Sequence, residues 1–235
     1  MHPSEIAQNL QHIKQLVAEA AAKSGRHPED IKLIAVSKGQ SWPQVEAAFA
    51  AGQFVFGENT VQDARAKISR CVHPAIEWHF IGHLQSNKAK YIPANFAWLH
   101  SLDSTMLATK LSRLARQKTT SLKTLIEVNI TGDINKQGIL PSGLFHFIDE
   151  LLQARHPCLE LRGLMAIGPP LASERALRKA FGELRELRDV CTQRFGLTDF
   201  TELSMGMSGD FVPAIMEGAT FVRVGTAIFG ERRKP

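Results

Sequence analysis

At 235 residues, with 44% apolar and 22% charged side chains, the chain has the composition of a globular protein with enough apolar surface for one barrel-sized core. No apolar run approaches the roughly 18 residues of a membrane span, and Met1-His2-Pro3-Ser4-Glu5 lacks the basic-then-apolar order of a secretory signal. The net charge is +5, but the dense basic run is confined to Arg232-Arg233-Lys234 and no basic stripe interleaves with aromatics, so specific nucleic-acid binding is not indicated.

Ser4 can cap a first helix with Ile6, Leu10, Ile13, Leu16, Val17, Ala20 and Ala21 on one face, and Gly25 ends it. Ile31 to Lys38 reads as a buried strand. A helix then starts at Ser41 and Pro43 and stops at Gly52. Phe54 to Gly57 is a second strand, and Asn59 can cap the helix that carries Val61, Ala64 and Ile68. The alternation continues. Strands are read at Ile76–Ile81, Phe96–Leu102, Lys123–Asn129, Leu159–Met165, Phe200–Met205 and Thr220–Val224. Between them lie a short polar helix from Ser86, a helix with Leu107, Leu111 and Leu114, and one with Leu144, Phe147, Ile148 and Leu151. Ser173 caps a long helix that ends at Gly196, and Asp210 to Met216 is a short one.

Eight strands alternating with helices, in a length near the ~250 residues typical of the architecture, predict a single (β/α)₈ TIM barrel over residues 1–235 with an extra N-terminal helix. The strands are continuous apolar runs, as a sheet covered on both faces requires. A doubly wound open sheet is the competing fold. Cys71, Cys158 and Cys191 are far apart with no metal-type spacing, which suits a reducing, cytoplasmic setting.

Barrel proteins place their chemistry at the C-terminal strand ends. Lys38, Glu58, Asn59, His79, Gly82, Asp103, Asn129 and Met165 fall at or near the ends of strands one to six. Ser204 and Ser208 follow strand seven, and Arg223, Gly225 and Thr226 follow strand eight. Closure of the barrel would make the first and last strands neighbours, so Lys38 and Arg223 would face one pocket. Gly225 and Thr226, at a strand-to-helix turn, are suited to hold a phosphate. Each residue alone has a plainer reading: a solvated lysine, an Arg223 ion pair with Glu202 or Asp210, a hydrogen-bonded core His79, and packing for Met205 and Met207.

Several stretches together resemble one family. They are Ala35-Val36-Ser37-Lys38, Phe56-Gly57-Glu58-Asn59, Trp78 through Lys88, Leu161 through Met165, Ser204 through Ser208, and Val222 through Gly230. In this order they are similar to the pyridoxal phosphate homeostasis proteins, over almost the whole chain. The resemblance implies a barrel like the N-terminal domain of alanine racemase that carries pyridoxal 5'-phosphate (PLP). It implies Lys38 as the Schiff-base lysine, and Ser208, Gly225 and Thr226 on the phosphate with Ser204 and Met207 lining that end. Arg223 would face the pyridine nitrogen, and Asn59 and His79 the ring. Gly39-Gln40-Ser41-Trp42 and Gly209 depart from the family pattern without removing any of these residues.

The resemblance implies a carrier that buffers or delivers PLP and balances vitamin B6 and amino-acid pools, with PLP-dependent apo-enzymes as recipients and no turnover of its own; a chain without the second domain of related enzymes is expected to be a monomer. An alternative is a PLP-dependent racemase or decarboxylase. Against it, the sole tyrosine, Tyr91, lies away from the predicted rim, and the chain ends soon after Gly230 without the second domain of related enzymes. A cofactor-free Schiff-base aldolase is a third reading.

Overall fold

The computed structural model describes residues 1–231, so the basic run Arg232-Arg233-Lys234 lies outside the described residues. The first helix, α1 (Pro3–Lys23), buries Ile6, Leu10, Ile13, Val17, Ala20 and Ala21, the stripe that its sequence spacing predicts. Its cap is His2 rather than Ser4: the His2 ring accepts the Ser4 N–H, and the Glu5 carboxylate returns to the His2 N–H. Pro3 can then occupy the first helical turn, where its missing donor is no loss.

The alternating units are β1 (Lys32–Val36), α2 (Trp42–Ala50), β2 (Val55–Glu58), α3 (Val61–Ile68), β3 (Glu77–Phe80), β4 (Trp98–Leu102), α4 (Thr105–Gln117) and β5 (Leu122–Glu127). They continue as α5 (Leu144–Ala154), β6 (Leu159–Met165), α6 (Glu174–Phe195), β7 (Glu202–Met207), α7 (Phe211–Met216), β8 (Phe221–Val224) and α8 (Thr226–Phe229). The short polar helix that starts at Ser86 is a 3₁₀ helix, Ser86–Tyr91. Thr60, not Asn59, caps α3, its hydroxyl accepting the Asp63 N–H at 3.3 Å. Asn59 is thereby left at the strand end.

Among the described residues the eight strands are all parallel and close in sequence order, β8 pairing with β1 through Lys32–Phe221 to Ala35–Val224. This is the (β/α)₈ barrel, not the open sheet. The outer shell between strands and helices is aliphatic and aromatic, with Phe56, Phe80, Phe181 and Phe200 completely buried. Inside the barrel, Ile34, Trp98, Leu125, Met165 and Phe221 form a separate apolar cluster. Polar side chains share that interior: His79, His100 and Ser204 have no exposed surface, and Arg223 has 5%. Such polar filling demands partners for every group, and these partners lead to the site.

Candidate functional site

A cavity of about 590 Å³ opens at the C-terminal end of the barrel, within the range of small-molecule sites. Lys38 enters its wall from the turn just past β1, and Asn59 from the end of β2. Closure brings Gly225 against β1, where a Cβ would sit 3.3 Å from the Val36 carbonyl oxygen. A larger residue here would crowd both the strand and the cavity. At the start of α8 the N–H groups of Gly225 and Ala227 converge on Ser208 Oγ at 3.2 and 3.5 Å. Ser208, Gly225 and Thr226 therefore form one donor-rich corner of the cavity, with Met207 beside it.

Arg223 closes the floor. Its Nη1 donates to Ser204 O and Oγ, both at 2.7 Å, and Nη2 to Ala166 O at 3.0 Å. These neutral acceptors replace the ion pair with Glu202 or Asp210 suggested by the sequence. Burial lowers the Arg223 pKa to about 10, with Glu127 and Asp210 opposing the shift through space, so the guanidinium stays charged at neutral pH. Glu127 lines the same cavity. Burial, reinforced by Asp103, raises its pKa to about 7 despite the attraction of Arg223.

His79 and Ser204 do not line the cavity. Each faces the barrel interior at a lower level than the residues at the mouth. Ser204 Oγ lies 2.8 Å from His100 Nδ1, His100 Nε2 lies 2.8 Å from His79 Nδ1, and His79 Nε2 lies 2.8 Å from Glu77 Oε1. His79 is thus the core histidine of its plainer reading, stacked on Trp98 at 5.6 Å, and Ser204 is a support beneath Arg223. Burial lowers the His79 pKa to about 4 and that of His100 well below the ordinary range, so both rings are neutral.

The family model for the alanine racemase N-terminal domain matches residues 2–233. The pyridoxal phosphate homeostasis protein of Vibrio cholerae is 43% identical over 231 residues, covering 97% of this chain and 96% of that one. The chain belongs to this family. The PipY structure of Synechococcus elongatus, with PLP bound, matches with a TM-score of 0.80 at 38% identity, covering 91% of this chain and 100% of that one. The alanine racemase of Bacillus anthracis has a TM-score of 0.72 at 18% identity, covering 97% of this chain and 56% of that one; it shares the fold.

The structure adds members that the sequence did not single out. Glu127 reaches the cavity because it ends β5 on the inward side. Lys136 comes from the following loop, which Asn129 Nδ2 ties down through the carbonyls of Asp133 and Lys136 at 2.8 and 3.3 Å. Glu127, one inward position before Asn129, was visible as a charged residue closing an apolar run. Lys136 had no such signal. A smaller hollow of about 360 Å³ between the ends of α5 and α6 holds Arg155, His156 and Arg162, and none of the residues that line the larger cavity.

Proposed function

We propose that the chain binds PLP in the C-terminal cavity, with Lys38 Nζ as covalent anchor, and serves as a carrier that buffers or delivers the cofactor. The observation that carries this reading is the convergence on one cavity of an amine, Lys38, a floor cation, Arg223, and the donor corner of Ser208, Gly225 and Thr226. The donor set fits the three functional ends of PLP: an aldehyde, a pyridine nitrogen and a phosphate. The relatives named for PLP homeostasis and the PLP-bound PipY structure support the same assignment.

When bound, PLP supplies an aldehyde that exchanges between amines and an aromatic ring that can withdraw electrons. The residues of the chain favour holding over turnover. The corner at α8 places the hydroxyls of Ser208 and Thr226 at the cavity, beside the backbone N–H groups of Gly225 and Ala227 that meet Ser208 Oγ, a setting that suits an anion. Arg223, cationic and fixed by three hydrogen bonds, disfavours a proton on a nitrogen placed beside it, which weakens electron withdrawal by the ring. Among the described residues no tyrosine lines the cavity: Tyr91 lies in the 3₁₀ helix after β3, under Arg65 at 4.5 Å. This leaves the racemase reading without that acid–base partner.

The proposed carrier is a cytoplasmic monomer that hands PLP to apo-enzymes; among the described residues no helix is long and apolar enough to cross a membrane. The test is the visible spectrum of purified protein incubated with PLP, before and after borohydride, beside Lys38→Ala. The expected result is a band that borohydride traps on the peptide containing Lys38, with no D-alanine made from L-alanine. No band, or steady Lys38-dependent racemisation, would overturn the reading.

A further inference from the structure

The turn that carries Lys38 is gripped from below by a buried charged cluster. Lys38 lies outside the β1 ladder, next to Gly39 at φ +73°, where backbone freedom is large. An anchor in such a position swings unless its neighbours are held. Here they are held on both sides. Lys67 of α3 is 3% exposed and donates to Ser37 O at 2.5 Å and to Glu58 Oε1 at 2.7 Å, and its ammonium pairs with Asp63 Oδ2 at 3.1 Å. Asp63 Oδ2 also accepts the Gly39 N–H at 2.7 Å, and Ser37 Oγ donates to Glu58 Oε1 at 2.5 Å. One helix therefore holds the carbonyl before Lys38 and the amide after it.

A buried ion pair is a weak source of stability, because desolvating both charges offsets their attraction. An apolar pair in the same space would suit a scaffold. These groups instead spend their hydrogen bonds on residues 37 and 39. The cluster is also incomplete: Glu58 Oε2 is buried with no hydrogen-bond partner, and burial raises the Glu58 pKa to about 7 against the pull of Lys67 and Ser37.

We propose that Asp63, Lys67 and Glu58 form a clamp that positions Lys38 for covalent attachment of PLP, as positioning residues that do not touch the cofactor. This rests on the assignment of Lys38 as the anchor. Attachment forms a bond from Lys38 Nζ to the aldehyde carbon of PLP with loss of one water. It requires the amine to reach that carbon along a narrow approach. Phosphate binding makes no such demand on the turn. The clamp is therefore expected to govern attachment and to leave non-covalent affinity alone.

The experiment separates the two with two ligands, PLP and pyridoxine 5'-phosphate, which has the ring and phosphate but no aldehyde. In Asp63→Ala, the equilibrium for the borohydride-trappable adduct is expected to fall by about tenfold, with affinity for pyridoxine 5'-phosphate changed less than about twofold. Asp63→Asn, which keeps an acceptor for the Gly39 N–H, recovers most of the loss. Lys67→Met should show the same split more strongly. Because emptying that buried site endangers folding, the half-buried Asp63 carries the test. Parallel losses for both ligands, or no change for either, would overturn the proposal. A wild-type protein that binds pyridoxine 5'-phosphate yet forms no adduct at Lys38 would instead overturn the anchor assignment.

Discussion

Ser204 Oγ lies 2.7 Å from Arg223 Nη1, and this contact is the upper end of a hydrogen-bonded row that descends the barrel through His100 and His79 to Glu77. The row has one consistent direction. The Glu77 carboxylate, whose pKa is lowered to about 2 mainly by its bond from His79, can only accept. His79 therefore carries its proton on Nε2 and accepts at Nδ1, His100 does the same, and Ser204 donates to His100 while accepting from Arg223. Nitrogen-15 NMR at pH 7 is expected to show both rings as neutral Nε2–H tautomers, unchanged down to about pH 5. An imidazolium signal from either ring at pH 7 would break the assignment.

Glu127 gives the cavity a pH dependence of defined sign. Its pKa is raised from 4.5 to about 7, so the folded state holds a proton there that the unfolded state has already lost. Stability associated with this group is present below about 4.5 and declines as pH rises through 7. In urea unfolding, Glu127→Gln should gain on the order of 1 kcal/mol relative to wild type at pH 8 compared with pH 5. An equal difference at both values would mean that Glu127 titrates normally.

Gly163 tests the barrel wall. It sits at φ +151° beside the register shift between β5 and β6, and a Cβ there would lie 1.9 Å from Glu202 O. Neither the dihedral nor the neighbouring backbone can yield cheaply. Gly163→Ala is expected to cost on the order of 3 kcal/mol, read from the denaturant midpoint. A loss below about 1 kcal/mol would show that β6 and β7 separate easily here.

Strand order was legible because each strand is a short apolar run between polar helices, and a count of eight dictates closure. The strand ends were less so. Phe200 reads as part of β7, but its N–H bonds Leu197 O in the turn after α6, and the ladder begins at Glu202. Depth within the barrel was the larger gap. Alternation along a strand says that His79 and Ile81 belong near the interior, but not which of them reaches the mouth. Ile81 lines the cavity and His79 lies beneath it, and past the irregularity in the β7–β8 register Met207 lines the cavity while Ser204 lies beneath. Arg223 is the exception because its side chain is long enough to reach the floor from that lower level. Lys67 was invisible for another reason. Nothing in its local pattern separates it from a solvated helix lysine, and only the packing of α3 under the turn of Lys38 buries it.

The donor corner makes a prediction that distinguishes phosphate recognition from ring recognition. Ser208 Oγ stands where the N–H groups of Gly225 and Ala227 meet, so its loss removes one hydroxyl from an anion site and leaves those amides facing the gap. A charge-assisted hydrogen bond is worth about 1.5–3 kcal/mol, roughly one to two powers of ten in affinity. Ser208→Ala should therefore weaken PLP binding by at least about tenfold while leaving binding of dephosphorylated pyridoxal nearly unchanged. Thr226→Val, at an exposed position in the same corner, should act in the same direction with a smaller effect. Isothermal titration with both ligands checks this. Equal weakening toward pyridoxal and PLP would place the phosphate elsewhere in the cavity and assign Ser208 to the shape of the β7–α7 turn.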